Sequence, residues 1–363
     1  MTPREKVMIS LQGGHTDCVP FTIYEQKIPQ CQAEREMRNR GLCIVNRTVP
    51  AFKTHRPNVK IKHETWVEND RTMTRTWYET PAGTLTSLSE GGGFTTWIHE
   101  KMFKGPDDYK ILCALLADEQ YTPCYEAFKK AEDALGEDVV LRAGFGLEPL
   151  QTLITGGYLD MQDFCMEWMD NRDEILKLYD ILVEKRRQIY PLVAESPASH
   201  ANYGGNVVVS LVGSEAFEKY YLPHYNEAAE IMHKHSKFIG THLDGNCRLI
   251  AKTVAESALD YIEAFTPAPD TDMTLKEARQ IWPDKTLWLN FPSSMHLLPD
   301  HEVRNKAIDL LDELNSIDGI IMGITEDIPE SRWQNSCRAI MDGLSLHAQQ
   351  NPELYNNVSK TAK

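Results

Sequence analysis

The sequence predicts an α/β protein, a TIM (β/α)8 barrel, on three observations. Short apolar or β-branched runs alternate with longer segments of helical spacing, eight such runs occur, and 363 residues suffice for one large barrel with an insertion. The runs are "VPFTIY" (19–24), "LCIV" (42–45), "VVLRAGF" (139–145), "SHANY" (199–203), "KFIGTHL" (237–243), "LDYIEAFT" (259–266), "TLWLNFP" (286–292) and "GIIMGIT" (319–325). In "FEKYYLPHYNEAAEIMHKH", Tyr221, Tyr225, Ala229 and Met232 recur at steps of three and four, which predicts a helix with one buried face. "DHEVRNKAIDLLDEL" and "ESRWQNSCRAIMDGLSLHAQ" read as helices on the same grounds.

Residues 59–93 break this rhythm. They alternate strictly and are punctuated by Asn69-Asp70, by Pro81 with Gly83, and by a triple glycine, the pattern of an antiparallel β-meander inserted after the second strand. No repeat and no Pro/Gly-rich linker divides the chain, so a single domain over 1–363 is expected.

Composition narrows the function classes. A formal net charge of −15 without any Lys/Arg-rich run disfavours nucleic acid and anionic membrane surfaces as partners. The 8 cysteines are scattered without a C-x-x-C pair, which predicts reduced thiols rather than a disulfide framework. No membrane-length apolar run occurs, and the N-terminal segment has no signal peptide's apolar core; a cytoplasmic location is expected.

In a β/α barrel the working residues stand at the carboxyl ends of the strands. Those ends supply Tyr24, Glu25, Asn46, Arg47, Asn202, His242, Asp244, Glu263, Asn290 and Glu326. "DYIEAFTP" and "MGITEDIP" each set a glutamate in or after an apolar run just before a proline, where a carboxylate needs a partner. With His242 and Asp244 they give one imidazole and three carboxylates, a donor set for zinc or a harder divalent cation. The other reading is a metal-free hydrogen-bond network around a sugar-like or carboxylate ligand. Cys247 and Cys337 read as packing residues, and His233 and His235 as helix-end histidines. "HETW" and "HEKM" lack the second histidine of a zinc-protease helix, and no dinucleotide or phosphate loop is present.

"TPREKVMISLQGGHTDCVPF", "DYKIL", "GTHLDGNCRLIAKTVAESALDYIEAFTP" and "GITEDIPES" resemble, in order and separation, the uroporphyrinogen decarboxylase superfamily over almost the whole chain. The resemblance implies a TIM barrel with its cleft at the strands' carboxyl ends. Decarboxylases of that family hold a polycarboxylate substrate with an arginine-rich segment after the first strand. Here "YEQKIPQCQ" stands there, and Glu25 would repel such a ligand by on the order of several kcal/mol. The other branch comprises corrinoid-dependent methyltransferases, several of which bind zinc through a His-x-Cys pair and a further cysteine. His242 matches the histidine, Asp244 stands at the first cysteine and Glu326 near the second.

A carboxylate set suits polarising an ether oxygen better than activating a thiol. The expectation is therefore a methyltransferase that moves a methyl group from a methoxylated aromatic substrate to the Co(I) corrinoid of a partner protein. Its expected metal is Zn2+, held by His242, Glu263 and Glu326 with Asp244 as fourth ligand or as partner to the histidine. Tyr24, Asn202 and Asn290 are expected to touch substrate, with Trp97 and Phe145 as apolar walls. The rival readings are a metal-free lyase or decarboxylase using Asp244 or Glu263 as acid–base groups, and a non-catalytic ligand-binding barrel. A homodimer is suggested by family analogy alone.

Overall fold

The computed structural model describes residues 1–92 and 96–355. Eight parallel strands form a ring: β1 (Phe21–Tyr24), β2 (Leu42–Asn46), β3 (Val139–Leu141 and Ala143–Gly144), β4 (His200–Asn202), β5 (Phe238–His242), β6 (Tyr261–Phe265), β7 (Thr286–Asn290) and β8 (Ile320–Ile324). Every one coincides with a run read from the sequence. β3 is interrupted at Arg142; its first piece pairs with β2 and its second with β4, so the ring closes through that arginine. With β8 paired to β1, the architecture is a TIM (β/α)8 barrel.

The barrel interior explains why these runs are strands. Cys43, Val45, Val140, Tyr261, Trp288 and Ile321 point inward and pack with Tyr24 and with Val7 and Leu11 of the first helix, Pro3–Leu11. Each such side chain contributes about 1.5–3 kcal/mol by leaving water. That helix starts at a capping box, Thr2 with Glu5, and has a proline in its first turn, so its end is fixed locally. The Trp288 indole donates to Thr22 Oγ1 at 2.8 Å, which satisfies a polar atom inside the barrel.

One expectation is modified. The segment read as one helix over 217–235 is two, Val209–Tyr220 and Leu222–Lys234, because Pro223 in the first turn of the second has no amide to continue the first. Tyr221, Tyr225, Ala229 and Met232 are nonetheless all fully buried, as their spacing predicted. Within the chain, expected to be a single domain over 1–363, two compact units are distinguished. One comprises residues 1–51, 125–146 and 193 onward and contains the barrel; the other comprises 52–124 and 147–192.

The second unit holds the inserted meander, a four-stranded antiparallel sheet of Lys60–Glu68, Arg71–Thr80, Gly83–Gly91 and Thr96–Glu100. Gly93, the last residue of the expected meander, lies outside the described residues. Asn69 and Asp70 both take positive φ, 51° and 62°, the two-residue turn whose twist matches a hairpin. A further strand pair, Phe52–His55 with Gln120–Pro123, was not foreseen. No helix among the described residues is long and apolar enough to cross a membrane.

Candidate metal centre

The carboxyl ends of β5 and β8 meet at the barrel mouth. His242 ends β5, Asp244 follows it, and Glu326 follows β8; one ligand atom from each lies within 4.8 Å of the others. β6 and β7 separate these strands in the sheet, so only the curvature of a closed barrel brings the three groups together. All three are half-buried, which leaves a side open to ligand. His242 Nε2 stands 3.6 Å from Asp244 Oδ2, close to the ~3.3 Å ligand separation of a tetrahedral zinc with ~2.0–2.1 Å bonds.

The other face of the imidazole is held from behind. His242 Nδ1 lies 2.8 Å from Glu263 Oε2, and since an ionised carboxylate only accepts, Nδ1 carries the proton and Nε2 faces the mouth. Glu263 is fully buried on β6. Its Oε2 also accepts from Asn202 Nδ2 at 2.8 Å, and its Oε1 accepts from the Tyr24 hydroxyl and sits 2.6 Å from Arg142 Nη1. Asn202 is itself held by the Tyr261 hydroxyl, which donates to its Oδ1 at 2.6 Å.

The electrostatics follow from this packing. Burial would raise the Glu263 pKa, but the charges of Arg142 and His242 hold it far below the usual carboxylate range. Burial disfavours the cation at His242, yet Glu263's charge, its hydrogen bond with Glu263 and the nearby Asp244 carboxylate overcome it and raise the pKa to about 9. For Asp244 burial likewise pushes upward, but the contact with His242 prevails and lowers the pKa. Tyr24 is kept neutral, mainly by burial.

A backbone irregularity follows directly after Glu263. The pairing of β6 with β7 slips by one residue between Glu263 and Phe265, and the extra residue, Ala264, adopts φ of 62°. A bulge with a non-glycine residue in the left-handed region stores strain, and it sits beside Glu263, whose two oxygens are both engaged. Gly240 on β5 matters for a different reason: a Cβ there would lie 2.2 Å from ring carbons of Tyr261.

The expected site residues do not all stand at the mouth. Glu263, expected as a metal ligand or acid–base group, is fully buried with both oxygens engaged and lies behind His242. Tyr24, Asn202 and Asn290, expected to touch substrate, are all buried. The first two are buried with their polar groups turned to Glu263. Asn290 donates to Thr266 Oγ1 and accepts from the Thr325 amide, so it ties loop ends together. Phe145 packs on Tyr203 with centroids 5.3 Å apart, and Trp97 belongs to the inserted sheet, 62 % exposed. Cys247 is buried, with its thiol donating to Gly245 O at 3.0 Å.

Arg142 escaped the sequence reading. The signal was present: "VVLRAGF" puts a charge inside an apolar run, the same argument that singled out Glu263. Arg47 was noted only as a strand-end residue; its guanidinium lies 3.8 Å from the Tyr24 ring centroid.

Fold and site together define a (β/α)8 barrel carrying a His–Asp–Glu cluster at its carboxyl mouth. The sequence matches no protein-family model, and no curated protein matches it. Among solved structures, the pneumococcal virulence factor StrH, described for N-glycan recognition and hydrolysis, is similar at 10 % identity and a TM-score of 0.39, covering 96 % of this chain and 86 % of that one. The endo-β-1,4-mannanase of Thermotoga petrophila is similar at 11 % identity and TM-score 0.38, over 96 % and 80 %. A D-psicose 3-epimerase aligns at 12 % identity and TM-score 0.34, over 67 % and 84 %. Likeness at this level assigns no activity to the chain.

Proposed function

We propose that this chain is an enzyme, the methyltransferase component of a corrinoid-dependent O-demethylating system and a member of the uroporphyrinogen decarboxylase superfamily. It takes the methyl group of a methoxylated aromatic compound and passes it to the Co(I) corrinoid of a separate protein. The methyl–oxygen bond breaks, the methyl–cobalt bond forms, and the phenolate keeps the electron pair and takes up a proton from water. The observation that carries this reading is the convergence of His242, Asp244 and Glu326, with the second nitrogen of His242 fixed by Glu263.

An imidazole and two carboxylates with an open side fit a catalytic divalent cation, Zn2+ foremost, held by those three residues. When bound, it supplies Lewis acidity at the ether oxygen. Glu263 keeps His242 in the tautomer that offers Nε2, and Arg142, Tyr24 and Asn202 keep Glu263 ionised and in place.

The test combines metal analysis with a methyl-transfer assay. Purified protein should hold metal in stoichiometric amount, and His242→Ala, Asp244→Ala and Glu326→Ala should each lose it while Cys247→Ser does not. Mixed with a Co(I) corrinoid protein and a panel of methoxylated arenes, the enzyme should generate methyl-cobalamin absorbance. Absence of both metal and methyl transfer overturns the proposal. One observation favours a second reading: without a metal His242 stays cationic at neutral pH, beside Asp244, as a general acid for a lyase would. Activity on a carboxylated substrate that survives chelation would select it.

A further inference from the structure

We propose that the free edge of the inserted sheet pairs with the same edge of a second copy of this chain, antiparallel about a two-fold axis, joining two four-stranded sheets into one. Among the described residues the edge strand, Lys60–Glu68, pairs only with Arg71–Thr80, and every residue in it except Trp66 is exposed. It carries two large apolar side chains facing water, Ile61 at 43 % and Val67 at 72 % exposure. A long, exposed, partly apolar edge with no proline or bulge is a template for another strand.

Its hydrogen-bonding groups point the right way. Glu68 and Arg71 flank a two-residue turn and so exchange both backbone hydrogen bonds, and alternate pairs beyond them do the same. The amides and carbonyls of Lys60, Lys62, Glu64, Trp66 and Glu68 are thereby used within the sheet. Those of Ile61, His63, Thr65 and Val67 face outward along the free edge.

The side chains identify the occupant. The strand reads K-I-K-H-E-T-W-V-E, with Lys60 and Lys62 at one end, Glu64 in the middle and Glu68 at the other end. Laid antiparallel with Glu64 on the axis, Lys60 falls opposite the partner's Glu68 and Lys62 opposite the partner's Trp66. On the other face, Ile61 meets the partner's Val67 and His63 meets the partner's Thr65. Opposite charges, a cation over an indole and an aliphatic pair are each favourable cross-strand partners. Each of these contacts occurs twice, as a two-fold interface requires. Lysines on an edge ordinarily deter pairing; here each finds a complementary group. The two Glu64 carboxylates at the axis are the one like-charged pair, and Arg75 sits across the hairpin from each. An unrelated partner has no reason to match this inverse symmetry. A second copy does so automatically, and the balanced charge of the strand offsets the repulsion expected between chains of net charge −15.

Charge-swapped variants test the register. Sedimentation of the wild type should show a monomer–dimer equilibrium. Lys60→Glu and Glu68→Lys should each weaken it at least ~10-fold, since two attractive contacts become repulsive. An equimolar mixture of the two variants should regain near wild-type association, because both cross-strand pairs are then again Glu with Lys. A wild type that stays monomeric, variants that dimerise unchanged, or a mixture no better than its components overturns the proposal. Should a variant misfold, amide exchange in the wild type decides. The amides of Ile61, His63, Thr65 and Val67 should slow as concentration rises, and concentration-independent fast exchange refutes the pairing.

Discussion

Removing the Glu263 charge should affect stability and the metal site together. In Glu263→Gln the buried Arg142 guanidinium, 5 % exposed, loses the carboxylate now 2.6 Å away. The amide offers one acceptor oxygen where Tyr24, Asn202, His242 and Arg142 now converge, and it brings an NH2 group into a cluster of donors. Breaking a buried pair by removing one partner costs about 3–5 kcal/mol. For 363 residues the unfolding entropy gives ~0.8 kcal/mol per degree, so Tm should fall by about 4–7 °C.

The double variant Glu263→Gln with Arg142→Met removes both charges and should be far less destabilised than the sum of the singles. On the proposed zinc site, loss of the group that fixes the His242 tautomer should also weaken metal binding by about 10–100-fold, read by chelator competition. The pH response supplies a third readout. His242 is raised from 6.5 to about 9, so its contribution in metal-free protein is full below pH 6.5 and lost as pH rises through 9. That loss amounts to ~3 kcal/mol in the wild type and should shrink in Glu263→Gln. A variant melting within a degree of wild type, or strictly additive singles, would refute the reasoning.

His200, buried in the barrel, has its pKa lowered to about 3 by burial and by the charge of Arg142. Its unfolded form binds a proton first, so stability should fall by up to ~1.4 kcal/mol per pH unit between 6.5 and 3. Urea midpoints at pH 7 and 4.5 should converge in His200→Phe; an unchanged pH slope would count against it. Gly240→Ala forces a methyl group onto the Tyr261 ring and should destabilise by about 1–3 kcal/mol in a thermal melt, whereas a wild-type Tm would show that the strands can part there. Asp70→Gly relieves a left-handed φ in the hairpin turn and should raise stability by about 0.5–1 kcal/mol, with no gain in Tm arguing against the turn's assignment.

Local information sufficed for the strands. Each of the eight apolar runs became a barrel strand, because burial on both faces demands the continuous hydrophobic pattern that marked it. The Asn69-Asp70 hairpin was equally legible, since the turn's φ values are set by its own two residues. His242, Asp244 and Glu326 could be picked out as polar residues at strand ends, but not as a trio distinct from Glu263. Spacing along a chain gives depth in the barrel only to within a residue, and it does not reveal that Glu263 stays in register with β7 while the bulge at Ala264 shifts the residues that follow. Whether a carboxylate faces the mouth or the interior depends on which charge waits behind it. Arg142, 121 residues earlier in the chain (263 minus 142), is brought there only by closure of the ring. The sequence alone therefore determined the elements and the chemistry available; the tertiary structure decided which acids meet in the open and which one is locked in place, because that choice is made by contacts between strands distant in sequence.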